Sequence, residues 1–325
     1  MKISIIIISY NEGKYLSEAI ESCLKQDIFN KKIETEIIIG DDGSNDGSLE
    51  IIQHYAKSYP KIISYYIMER NITGPVISSF RASNVIKHGL EVAKGDYVQI
   101  LSGDDVLSDE KKISSSLEFL ENHSDYASCY TDYKHFWDDG RERFPKNKKA
   151  NFSRPVLWSF EYRHISCYLF RREVEKYLLN RFCDDTGLFY SCFIAGKAKH
   201  LQTVSFGYRQ RATGIMSTSN SLELDLLELL LFQDVLNKGA YRKSSLAKFC
   251  MPLLRVWKSK DEIAEEKYKK YLKAARGVTN DYLNILNNWN DNSINLKISF
   301  YKMMLSMIFY RIIFKGLDII ETLIK

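Results

Sequence analysis

Residues 97–108 read YVQILSGDDVLS. A largely apolar run, Tyr97 to Leu101, stops at Ser102 and Gly103 and gives way to two adjacent carboxylates, Asp104 and Asp105. A run of this kind marks a strand covered on both faces, as parallel strands are in α/β folds. Two like charges at the mouth of a buried strand repel each other unless something neutralises them. The same pattern recurs upstream. KISIIIIS (2–9) is a continuous β-branched run, TEIIIGDDGSNDGS (35–48) is a short strand entering a Gly/Asp/Ser/Asn loop, and KIISYYIM (61–68) is a third strand. Between them YLSEAIESCLKQ (15–26), LEIIQHYAKSY (49–59) and VISSFRASNVIKHGLEVAKG (76–95) place apolar residues at helical spacing, the last ending at a Gly95 stop signal. Strands alternating with helices predict βαβ units, a parallel sheet and right-handed crossovers.

After Asp105 the alternation loosens. ISSSLEFLEN (113–122) is helical, YASCYTDY (126–133) is a strand, residues 138–154 are a basic, proline-containing loop, and HISCYLFRREVEKYL (164–178) is a strand running into a helix. From Leu222 the pattern is almost wholly helical, so a boundary is expected near residue 220, with 1–220 catalytic and 221–325 a helical region. The final stretch, 294–325, mixes an apolar stripe with Lys297, Lys302, Arg311 and Lys315. No charge-free run there reaches the roughly 20 residues of a membrane span. Packing against the catalytic domain or a homo-oligomer seam is one reading, and an amphipathic helix at a membrane surface the other.

Composition narrows the function. An apolar fraction of 45% with only 5 prolines belongs to a folded globular chain. The net charge of +5 suits an anionic small molecule or a membrane surface, and no nucleic-acid motif accompanies it. Six scattered cysteines show no metal-ligand spacing, which argues against zinc and for reduced, packed thiols. The apolar start is too short for a signal peptide, so a cytoplasmic location is expected, at most peripheral to the inner face of a membrane. GDDGSNDGS has neither the Walker lysine nor G-x-G-x-x-G spacing.

In an open parallel sheet, ligands bind beyond the carboxyl ends of the strands. Asp41-Asp42 and Asp104-Asp105 are both expected on that rim, where a hard cation such as Mg²⁺ or Mn²⁺ can bridge carboxylates to phosphates. The competing reading makes each pair an N-cap of the next helix.

Four pieces in order, IIIISYNEGKYLSEAIES, IIIGDDGSNDGS, GDYVQILSGDD and CDDTGLFYSCFIAGKAKHL with YRQRATGIMS, resemble the family 2 glycosyltransferases of the GT-A fold over about the first 220 residues. The resemblance implies an inverting, metal-dependent transfer from a nucleotide-sugar, UDP-linked by preference, to a hydroxyl of a glycan or lipid-linked glycan in bacterial surface polysaccharide synthesis. It implies that Ser9, Tyr10 and Glu12 flank the base and that Asp41 or Asp42 accepts from uracil or ribose. Asp104 would face the ribose, and Asp105 would hold the cation. Asp185, supported by Asp184, would be the general base, with N-capping of its helix as the alternative. Many family members carry an acid where this chain has Ser102, and a histidine where it has Arg211. Arg209 and Arg211 would meet the diphosphate, the alternative being solvated arginines. Arg81 and Lys87 are read first as a solvated helix face, with an approach to phosphate as the alternative. His164 is read as a packed or surface histidine, with a place in the acceptor pocket as the alternative. A sugar nucleotidyltransferase and an inactive nucleotide-binding scaffold are the alternatives to transfer.

Overall fold

The computed structural model describes residues 1–70, 78–145, 164–178, 185–212 and 214. The chain divides into two compact units, Met1–Ser219 and Asn220–Lys325. All described residues lie in the first, so the expected C-terminal helices, the basic stretch beyond residue 145 and Asp184 fall outside them.

Strands β1 (Lys2–Ser9), β2 (Glu34–Asp41), β3 (Ile63–Ile67) and β4 (Tyr97–Ser102) alternate with helices α1 (Leu16–Leu24), α2 (Ser48–Ser58) and α3 (Ser78–Val92). They pair in parallel in the order β3-β2-β1-β4. Covered on both faces, Ile3, Ile5, Ile6 and Ile7 of β1 are fully buried, which is why that strand could be an unbroken β-branched run. α1 buries Leu16, Ala19, Ile20 and Cys23, one stripe at helical spacing.

Beyond β4 the sheet is mixed. β5 (Val106–Leu107), α4 (Lys112–Asn122), β6 (Tyr126–Phe136), β7 (Glu142–Arg143), β8 (Tyr168–Arg171), α5 (Asp185–Ala195) and β9 (Lys197–Arg209) follow. The sheet order continues β4-β8-β6-β9-β5, with β7 on the edge of β6. β8 runs antiparallel to both neighbours, and β9 is parallel to β6. The helix expected after β8 is a six-residue 3-10 segment, Arg172–Tyr177, burying only Val174. One apolar anchor does not hold a longer helix, and Arg172 instead donates to the Ala93 carbonyl beyond α3.

The turn into β4 requires glycine. Gly95 donates its amide to Ser4 Oγ at 2.7 Å, and a Cβ there would stand 2.4 Å from the Ser4 backbone nitrogen. Backbone cannot yield as a side chain can, so Gly95→Ala is expected to cost about 1–3 kcal/mol in urea unfolding.

Lys112, on the first turn of α4, is buried and donates to Gln99 Oε1, whose amide nitrogen donates to the Ser166 carbonyl at 2.8 Å. Burial lowers its ammonium to about 8 against the partial opposition of Cys167, Cys129 and Cys23. Those thiols and Cys192 are buried and unbridged. Below pH 8 the lysine is protonated in both folded and unfolded chains. Above it the folded chain loses a proton that the unfolded chain keeps to about 10.4, so rising pH stabilises. Wild type is therefore expected to gain about 1–3 kcal/mol on Lys112→Met between pH 8 and 10, measured by urea midpoints. Burial pushes the thiols of Cys23, Cys129 and Cys192 up, so they act oppositely at high pH in both proteins.

Candidate functional site

β1, β2 and β4 end side by side, with Ser9 opposite Asp41 and Ile8 opposite Ser102. Three loops therefore leave the sheet at one place. The first two are knitted together: Asn11 donates its amide to Ser44 Oγ at 2.8 Å, Glu12 to Ser48 Oγ at 3.0 Å, and Gly13 to Asp46 Oδ2 at 2.9 Å. Asn11 adopts a φ of 53°, a left-handed turn that asparagine tolerates and that redirects the chain sharply after β1.

The acidic pairs do not cap helices. α2 begins after Gly47, and the residues after Asp105 form β5, with α4 starting only at Lys112. Asp41 accepts from the Ser44 amide at 2.8 Å and from its hydroxyl at 2.6 Å, folding the loop back on itself. Asp42 takes a bidentate fork from Arg81, Nε at 2.6 Å and Nη2 at 2.5 Å, with Arg70 Nη2 at 3.9 Å. Arg81 is thus turned inward rather than lying on a solvated helix face. The Arg70 guanidinium lies 3.5 Å over the partly exposed Tyr10 ring, so Tyr10, Asp42, Arg70 and Arg81 form one cluster at the ends of β1 to β3. Ser9 is buried, and its hydroxyl has no partner among the described residues.

Asp105 is 0% exposed. One carboxylate oxygen accepts from the Arg209 amide at 2.8 Å. The other has no hydrogen-bond partner among the described residues and faces His164 Nε2 at 3.8 Å. Burial, then the charge of Asp104, holds the Asp105 carboxyl well above the usual range, opposed by the Arg209 amide. Glu12 is also buried, and its Oε2 is likewise without a partner. Burial and Asp104 push it up to about 8 against the pull of Arg211. Such carboxyls await a cation or a donor.

The two arginines expected at a diphosphate differ in placement. Arg209, 6% exposed, is committed to the protein: Nε donates to the Asp104 carbonyl and Nη1 to Asp138, each at 2.8 Å, and Nη2 donates to Glu18. The rings of Tyr15 and Phe136 lie within 4.5 Å of its guanidinium carbon. Arg211 reaches into the cleft, donating to Glu12 and pairing with Asp104 Oδ2 at 2.6 Å.

Asp185 opens α5 and accepts from the Ile165 amide, next to His164. His164 packs against Phe206 at 5.0 Å and Tyr208 at 4.7 Å between ring centroids, as a packed histidine would. Burial first, then Asp105, Asp185 and Asp104, pushes the Tyr208 hydroxyl up. His164 stands 3.8 Å from Asp105, and the next residue, Ile165, donates to Asp185, so the start of α5 brings the third acid near the pair after β4. Tyr133 and His135 of β6 adjoin Tyr208 and continue this aromatic wall. No sequence signal marked Tyr208, Arg70, Asp138 or Glu18.

The family model for glycosyl transferase family 2 matches residues 4–194. The chain belongs to glycosyl transferase family 2. That span holds the three strand-end loops and Asp185, while Arg209 and Arg211 follow it. Among curated relatives, an uncharacterised protein of Mycobacterium bovis is 27% identical over 217 residues, 65% of this chain and 60% of its own length. The chain thus spans less than two thirds of that relative. The poly(ribitol-phosphate) β-N-acetylglucosaminyltransferase TarS of Staphylococcus aureus is 33% identical over 125 residues, 38% of this chain and 20% of its own. The crystal structure of TarS 1–349 in complex with UDP-GlcNAc has a TM-score of 0.59 at 18% identity, covering 87% of this chain and 81% of that one. The mannosyltransferase PcManGT of Pyrobaculum calidifontis, in complex with GDP-Man and Mn²⁺, gives 0.50 at 14% identity, covering 94% and 80%. These likenesses show the fold. It is the GT-A fold of family 2, a mixed sheet flanked by helices.

Among the described residues no group of three or more His, Cys, Asp and Glu side chains is placed to enclose a metal ion. The open oxygen of Asp105 fits a cation that takes one or two carboxylates and completes its shell with phosphate and water. No described helix is long and apolar enough to cross a membrane.

Proposed function

We propose that this family 2 chain is an inverting, metal-dependent glycosyltransferase. It moves a sugar from a UDP-linked donor to a hydroxyl of a glycan or lipid-linked glycan, in the synthesis of a bacterial surface polysaccharide. The observation that carries the reading is the buried oxygen of Asp105, without a hydrogen-bond partner among the described residues, facing His164 beside the Ile165 amide that Asp185 accepts from. A divalent ion bound there would neutralise the departing diphosphate.

The chain's own residues supply the rest. Tyr10 and the Asp42–Arg81 pair form the base end, where Arg70 already shows that the Tyr10 ring accepts a planar cation. Glu12, expected from the sequence to flank the base, is bridged to Asp104 by Arg211, which favours a place for both on the ribose and phosphate side. Asp185 takes the proton of the acceptor hydroxyl as its oxygen attacks the anomeric carbon, while the bond to the diphosphate breaks on the opposite face. One displacement inverts the anomeric configuration. Arg209 works by position, since its amide fixes Asp105 and its guanidinium fixes the Asp104 carbonyl.

A nucleotidyltransferase would leave the nucleotide on the sugar, whereas transfer releases nucleoside diphosphate. The names of the TarS relatives make UDP-GlcNAc the first donor to try. Calorimetric titration of UDP into the wild type, with and without Mn²⁺, is expected to show binding only with metal. Incubation with UDP-GlcNAc and a polyol-phosphate or glycan acceptor should then release free UDP. Absence of binding under both conditions would remove UDP as the base and turn the screen to GDP and TDP.

A further inference from the structure

Glu12 follows β1 and Asp104 follows β4, and Arg211 joins them across the cleft. It donates to Glu12 Oε1 and pairs with Asp104 Oδ2 at 2.6 Å, with the Tyr15 ring 5.7 Å from its guanidinium carbon. The partner oxygens tell the complementary story. Glu12 Oε2 and Asp105 Oδ2 are buried and have no hydrogen-bond partner among the described residues. A positive side chain thus occupies the middle of the acidic cleft, and the oxygens it does not reach are left open.

We propose that Arg211 is a placeholder cation. In the free protein it holds the position between Glu12 and Asp104 and excludes a lone divalent ion. It turns to the diphosphate when metal and nucleotide arrive together. This rests on the nucleotide-sugar reading of the site. A lone Mn²⁺ beside Asp105 would meet the positive charge that Arg211 holds between Glu12 and Asp104, or would have to displace that mostly buried guanidinium from two carboxylates, and either is unfavourable. A diphosphate removes the obstacle, because its paired oxygens match the guanidinium fork as well as a carboxylate does. Lysine, a point charge, would keep the exclusion and lose the fork. The device makes metal and nucleotide bind as one ligand, so the site is not filled by cellular Mg²⁺ alone.

The test reads Mn²⁺ binding by electron paramagnetic resonance with no nucleotide present. Wild type should bind Mn²⁺ weakly and Arg211→Gln at least about 10-fold more tightly, with Arg211→Lys within about threefold of wild type. UDP should tighten Mn²⁺ on the wild type by about 100-fold, and uridine, lacking the diphosphate, should not. By linkage the same factor must appear in the UDP affinity when Mn²⁺ is added. Unchanged Mn²⁺ affinity in Arg211→Gln, or an equal gain in Arg211→Lys, overturns the proposal. So does tight Mn²⁺ binding to the wild type alone, a comparison that needs no variant to fold. Failure of UDP to bind anywhere would sink the donor reading, while the Mn²⁺-only comparison would still decide this one.

Discussion

Asp105→Asn should lower kcat for sugar transfer by about 10³ or more while leaving the protein folded. The fold survives because asparagine keeps the volume and can still offer an oxygen to the Arg209 amide, the contact that Asp105 makes at 2.8 Å. What disappears is the negative charge on the buried oxygen that nothing else in the described site satisfies. A loss of 10³ corresponds to about 4 kcal/mol of transition-state stabilisation, the scale expected when a cation loses its anchoring carboxylate. Metal-free stability should hold or rise, because burial already makes the ionised carboxylate unfavourable there. Steady-state kinetics with varied Mn²⁺, beside a thermal melt, checks both halves. An Asn variant with wild-type turnover and wild-type Mn²⁺ dependence would remove Asp105 from the site.

Asp185→Asn is the second large effect, an expected loss of about 10²–10⁴ in kcat with donor binding unchanged. The asparagine oxygen can still accept from the Ile165 amide, so the start of α5 and the placement of His164 should persist. Only the capacity to take a proton is removed. UDP titration in the presence of Mn²⁺ should therefore match wild type, which separates this variant from Asp105→Asn. If turnover stays above a tenth of wild type, the base is another group, and Asp184→Asn is the next variant to measure.

The first half of the fold was legible because β1, β2 and β4 are buried on both faces, so an unbroken run such as KISIIIIS has one reading, while β3 is the half-exposed edge. The two acidic loops were legible as a rim for the same reason, since neighbouring parallel strands must end together. β9 escaped because its pairing is irregular. His200 pairs with Tyr130 and Val204 with Asp132, so two extra residues of β9 are accommodated near Gln202, which has a φ of 55°. A bulge of this kind breaks the period-two pattern that marks a strand. The roles of the arginines were hidden for a different reason. Arg209 and Arg211 are two apart on one segment, yet the first is tied to Glu18 and Asp138 and the second to Glu12 and Asp104. Spacing alone does not separate a structural tie from one that faces ligand.

The sheet order has a consequence for the chain during its own synthesis. β5, the two residues after Asp105, pairs with β9 through Val106–Gly207 and Leu107–Phe206, about 100 positions later in the sequence. The Asp105 carboxylate waits on the Arg209 amide across the same gap. A nascent chain released after α5 would possess every acid of the cleft and still lack the strand that seats them. The acidic cleft is therefore completed from its far end, only once residues 206–211 have emerged from the ribosome and β9 has inserted between β6 and β5.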